Sequence, residues 1–148
     1  MVATEQYPKG LGNTVPELKL KDAGVPIFEK TCFSMIVNDV ETYIKEKAQD
    51  AKSVVLCGIE AHACIFQSTF DLLERNYDVH LVVDGISSRN PVDRMFAFKQ
   101  MENAGAMLTT SECVLLALMR DAKHPKFREV QKLLMDVSPD SGLLTSRL

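Results

Sequence analysis

Three apolar runs, each closed by a glycine or by threonines and each followed by residues at helical spacing, constrain this chain more than any other feature. SVVLCG occupies 53–58, DVHLVVDG 78–85 and AMLTT 106–110. Successive residues of these runs are apolar, rather than alternate ones, so both faces of each strand call for cover. Between the first two runs, Ile65, Phe66, Phe70, Leu72 and Leu73 mark a helix over about 62–75. Pro91 suits the first turn of a helix to about Asn103, which Gly105 ends. Another helix starts at Ser111 or Glu112, and 124–136 forms a last amphipathic one. Ahead of the first run, Val40, Tyr43, Ile44 and Lys47 predict a helix over 39–49, capped by Asn38 or Asp39. Alternating strands and helices of this kind predict an α/β fold: a three-layer α/β/α domain around a mostly parallel sheet.

The chain has 148 residues, of which 46% are hydrophobic, enough for one domain with a core of its own. Its 17 basic and 20 acidic residues give a net charge of −3 with no block of one sign, so nucleic acid and anionic membrane are poor partners. No apolar run approaches the roughly 20 residues that span a bilayer. Cys32, Cys57, Cys64 and Cys113 contain no CxxC pair, and His62, His80 and His124 show no metal-site spacing. The expectation is a soluble protein of a reducing, cytoplasmic compartment, without metal or cofactor.

Residues 5–26 hold three of the six prolines and three of the seven glycines without a sustained apolar period, which marks a long loop. Before it, Val2, Ala3 and Thr4 read as the last residues of a strand. A doubly wound sheet usually starts with a strand and a crossover helix, and neither is visible here, so the domain, 1–136, reads as N-terminally truncated. Residues 137–148 read as a tail.

The segment GIEAHAC, Gly58 to Cys64, lies where a strand ends and a helix begins, at the sheet edge where open parallel sheets bind ligands. A cysteine in the first helical turn stands among unpaired N–H groups and the positive end of the helix dipole, which favour a thiolate and can hold an oxyanion. Such a cysteine suits attack on a carbonyl carbon. From position alone, the commoner reading is a small buried hydrophobe, which free cysteine very often is.

At these residues the chain resembles the isochorismatase-family cysteine hydrolases, whose nucleophile lies in a G-[IV]-x-x-x-x-C turn between strand and helix. The likeness extends over nearly the whole chain through TEQYPKGLG, KTCFSM, CGIEAHACI, VVDGISSR, HPKFREVQKLL and PDSGLL, and is nearest the animal isochorismatase domain-containing branch. It implies that Cys64 is the nucleophile and that Lys30 is the lysine beside it, although a lysine in FEKTCFS would otherwise read as a solvated surface residue. It also implies a cis peptide between Ile59 and Glu60, and an oxyanion hole formed by the N–H groups of Glu60 and Cys64. The family's general-base aspartate has no match. Asp22, Asp39 and Asp84 differ from it in context, and Asp84 reads better as a cap or turn residue. Metal-binding members use an Asp and His cluster where this chain has Gln6 and Tyr7, which again argues against a metal. His62 reads as a helix-start residue exposed to water or lining the pocket. Ser87, Ser88 and Arg89 resemble a family segment that shapes the pocket or subunit contacts, and otherwise read as a helix-capping loop.

The resemblance therefore implies a cysteine-dependent hydrolase of an amide or related bond in a small molecule, acting through an acyl-enzyme and impaired by the absent base. Partners would be the small-molecule substrate and further copies in a homo-oligomer. The alternative is a non-catalytic form that acts by binding a protein partner.

Overall fold

Where the apolar runs sit, the computed structural model, which describes residues 1–135, has strands. β1 (Ala3–Gln6) and β2 (Ile27–Lys30) pair in parallel, with Gln6 opposite Lys30. β3 (Ser53–Ile59), β4 (Asp78–Ser87) and β5 (Met107–Thr109) form a second parallel sheet in that order. The helices are α1 (Pro8–Leu11), α2 (Asn38–Lys47), α3 (Phe66–Glu74), α4 (Pro91–Asn103), α5 (Ser111–Met119) and α6 (Phe127–Leu134). The α/β class with parallel strands is as expected. The tail at 137–148 lies outside the described residues.

Two readings need correction, and one segment unassigned from its sequence proves to be a strand. The stretch 5–26 is not a bare loop: it completes β1, then forms α1 and a 3-10 turn at Pro16–Leu18. Pro8 and Pro16 each stand at a helix start, where a fixed φ helps and the missing N–H costs nothing. IFEK, too short to show a period, is strand β2. Finally, α2 starts after Val37, with neither Asn38 nor Asp39 as its cap; Asp39 and Glu41 in its first turn face the positive end of the helix dipole.

The core collects Leu56 from β3, Ile65 and Leu72 around α3, Val79, Leu81 and Ile86 from β4, and Ala97, Phe98 and Met101 from α4, all buried. Each large side chain buried there stabilises the fold by about 1.5–3 kcal/mol. Cover on both faces holds for β4, where Val79, Leu81 and Val82 are all buried. It fails for β3. Leu56 faces the core, whereas Val55, Cys57 and Ile59 on its other face are exposed, Ile59 to 70%. Among the described residues no strand pairing joins β1 and β2 to the three-stranded sheet.

Candidate active site

The end of β3 is built to turn sharply. A bulge shifts its register on β4 between Leu56 and Gly58. Gly58 has φ 125°, a conformation that a side chain would strain. The next peptide, Ile59–Glu60, is cis. The Glu60 carbonyl then accepts from the N–H groups of Ala63, at 3.1 Å, and Ile65, at 3.2 Å, closing a π-helical turn over Ala61–Ile65. Cys64 thus sits in this wide turn, and α3 proper starts at Phe66; single π turns of this type recur at functional sites. Buried Ala61 and Ile65 anchor the turn in the core, leaving Cys64 partly open to solvent.

Ser68, buried one turn beyond Cys64, ties this segment to the chain after β2. Its hydroxyl donates to the Cys64 carbonyl at 2.6 Å and accepts from the Met35 N–H at 2.8 Å. The loop that follows Lys30 is thereby held against the cysteine turn.

Lys30, expected on sequence grounds alone to be solvated, is only 6% exposed. Its ammonium donates to Gln6 Oε1 at 2.5 Å and to the carbonyls of Cys32 and Phe33, both at 2.9 Å. Its fourth neighbour is Cys64 Sγ at 3.5 Å. Three of the four acceptors are neutral oxygens, so the sulfur is the one contact able to carry negative charge. A buried charge of this kind is costly unless it is hydrogen-bonded and balanced. Among the described residues, no carboxylate hydrogen-bonds to Lys30 or Cys64.

The other wall comes from the end of β4. Glu60 Oε1 accepts the Arg89 N–H at 3.0 Å, and the Arg89 guanidinium lies 4.0 Å from the same oxygen. His62 Nδ1 lies 2.9 Å from Ser88 Oγ, and its Nε2 is 3.9 Å from the Glu60 carboxylate. His62 is therefore a partly buried tie between two loops rather than an exposed helix start, and Ser88 and Arg89 belong to the same network. Asp84 stands apart. It accepts from the Ser111 N–H at 2.8 Å and the Ser111 hydroxyl at 2.5 Å, supporting the start of α5 as a cap. Burial alone would raise its pKa, but the Ser111 hydroxyl and amide bonds prevail and hold it below the usual carboxylate value.

A concavity of about 420 Å³ opens beside the couple, with Tyr7, Glu29, Lys30, Thr31, Cys32 and Asp39 among its lining residues. Lys30 connects it to Cys64. Gln6, which from sequence stands out only as a residue unsuited to bind metal, completes the arrangement. The signal available was its place just after Val2, Ala3 and Thr4, residues that read as the end of a strand. No group of three or more His, Cys, Asp or Glu side chains that could hold a metal occurs among the described residues. No helix among them is long and apolar enough to cross a membrane.

These features define a parallel α/β domain whose cysteine, just beyond the carboxyl end of β3, is bridged to a buried lysine at the end of β2. The chain belongs to the isochorismatase family: the isochorismatase domain matches residues 8–113. It is 54% identical over 145 residues to isochorismatase domain-containing protein 2 of Xenopus laevis, covering 98% of this chain and 69% of the relative. The structure of MAR1 ribonuclease from Caenorhabditis elegans is similar at 53% identity and a TM-score of 0.88, over 99% of this chain and 76% of that one. The YcaC product of Escherichia coli, described as an octameric hydrolase of unknown specificity, is 26% identical with a TM-score of 0.68, over 89% of this chain and 72% of that one.

Proposed function

We propose that the chain is a cysteine-dependent hydrolase acting on an amide or related bond of a small molecule. Cys64 attacks the carbonyl carbon, and the Glu60 and Cys64 N–H groups hold the oxyanion. Loss of the amine leaves a thioester on Cys64. Water then adds to it, releasing the acid and restoring the thiol. Lys30 steadies negative charge on the sulfur and on the tetrahedral intermediate. The observation that carries the reading is the 3.5 Å contact between Lys30 Nζ and Cys64 Sγ. Turnover is expected to be slow, because general-base assistance typically contributes 100- to 10,000-fold and, among the described residues, no carboxylate hydrogen-bonds to either residue.

The test is a panel of small primary amides and thioesters assayed with the native chain and with the Cys64→Ala and Lys30→Met variants. Ammonia or thiol release that both variants abolish supports the reading. Release unchanged in Cys64→Ala would overturn it. A short RNA belongs in the same panel, since a 53%-identical relative is named a ribonuclease.

A second reading, a non-catalytic form that binds a protein or its own copies, is favoured by one observation. Among the described residues β1 and β3 are each paired on one side only, and Val55 and Ile59 are exposed on the open face of β3. Edges and patches of this kind invite association. Light scattering tests the self-association arm: a dimer or larger species supports it, and a stable monomer removes it.

A further inference from the structure

We infer that Gln6 is a positioning residue for the Cys64–Lys30 couple, holding the lysine ammonium against the sulfur. The inference deepens the proposed reaction and rests on that reading. The parallel register of β1 on β2 sets Gln6 directly opposite Lys30, both at the carboxyl ends of their strands. The Gln6 amide is fixed at both ends by groups that admit one orientation only. Its Nε2 donates to the Thr31 carbonyl at 2.6 Å, and its Oε1 accepts from Lys30 Nζ at 2.5 Å. A carbonyl can only accept and an ammonium can only donate, so the amide cannot be reversed without losing both bonds. The same Oε1 lies 4.0 Å from Cys64 Sγ, within reach of a thiol proton.

Lys30 has three protons for four acceptors, and the sulfur is the most distant of the four, at 3.5 Å. The two carbonyls of Cys32 and Phe33 lie on its own strand's continuation and would hold the ammonium wherever that loop goes. Gln6 is the contact from another strand. It completes the oxygen cage around the ammonium and fixes where the charge stands relative to Cys64. Its neutrality matters as much as its reach. A carboxylate in this place would balance the lysine charge by itself and repel a thiolate 4 Å away, whereas the amide leaves the ammonium's charge for the sulfur or an anionic intermediate.

The experiment compares alkylation of Cys64 by anionic iodoacetate and by neutral iodoacetamide, read by peptide mass spectrometry. Cys113, exposed on α5, is the internal standard within each sample. An ammonium held beside the sulfur favours the anionic reagent, so the iodoacetate-to-iodoacetamide ratio at Cys64 reports its position independently of general exposure. In the native chain this ratio should exceed that at Cys113 by about fivefold, the scale expected for one unit charge at a partly screened site. Gln6→Met, of similar length but without the amide, should bring the ratio most of the way down to that of Lys30→Met. Gln6→Glu, which keeps an oxygen for Lys30, should bring it as low or lower by adding negative charge. A Gln6→Met variant that keeps the native ratio while melting at a lower temperature would overturn the inference, because Gln6 would then be merely structural. If the ratio behaves as expected but no amide is hydrolysed, the positioning role stands and the hydrolase reading fails.

Discussion

Replacing Glu5 by glutamine should weaken the fold at neutral pH and leave it nearly unchanged in acid. Glu5 is 8% exposed, and its carboxylate accepts the Thr14 N–H at 2.6 Å and Asn13 Nδ2 at 2.9 Å, pinning the turn after α1 to β1. The bond from the Thr14 amide, followed by that from Asn13, holds its pKa below the usual glutamate value. A glutamine can keep the Thr14 bond through its oxygen, and Asn13 can turn its own amide to accept from the new NH₂. Both bonds then survive as neutral ones. Bonds to charged groups contribute about 1 kcal/mol more than neutral ones, so the loss is roughly 2 kcal/mol for the pair. For a chain of this size that lowers Tm by about 4–8 °C. The sign follows from linkage. A carboxylate whose pKa is depressed on folding adds stability above its unfolded value, about 4.3, and that stability disappears as pH falls through the folded value. Urea unfolding of both chains at pH 7 and at successively lower pH should show a gap that closes in acid. Equal stability at pH 7, or a gap that persists undiminished once Glu5 is protonated, would refute the argument.

Three further outcomes are expected. Leu72→Ala empties a site that is 1% exposed between α3 and the sheet, and should cost about 2–5 kcal/mol by urea midpoint; less than 1 kcal/mol would mean that the core collapses around the gap. Asp84→Asn removes charge from the two Ser111 bonds, so hydrogen exchange at the first amides of α5 should speed up at pH 7, with the difference from the native chain fading in acid as Asp84 itself protonates. Arg75→Ala breaks a two-bond contact with Glu41, but Arg75 is 40% exposed, and the stability change measured in urea should stay within about 1 kcal/mol.

Much of this molecule was legible in the sequence because its determinants are local. The apolar runs at 53–58 and 78–85 mark β3 and β4, and Pro91 and Gly105 bracket α4, because strand burial, a proline at a helix start and a glycine past its end act within a few residues. Cys64 could be singled out for the same reason, since it stands just after the glycine that ends an apolar run. What the residues' neighbours alone could not tell was which distant side chains meet it. A lysine in FEKTCFS reads as solvated until a parallel register places it opposite Gln6 and a serine hydroxyl draws the following loop onto α3. His62 reads as a helix-start residue until Ser88, from the far end of β4, closes on it. The open face of β3 was equally hidden, because an apolar strand asks for cover on both sides and only the tertiary arrangement decides whether cover is supplied. Local sequence thus determined β3 to β5, α2 to α6 and the candidate cysteine, but not α1 or β2. The tertiary structure decided the surroundings of that cysteine, because long-range pairing, and not nearest-neighbour preference, sets which charges and hydrogen-bonding groups share one small volume.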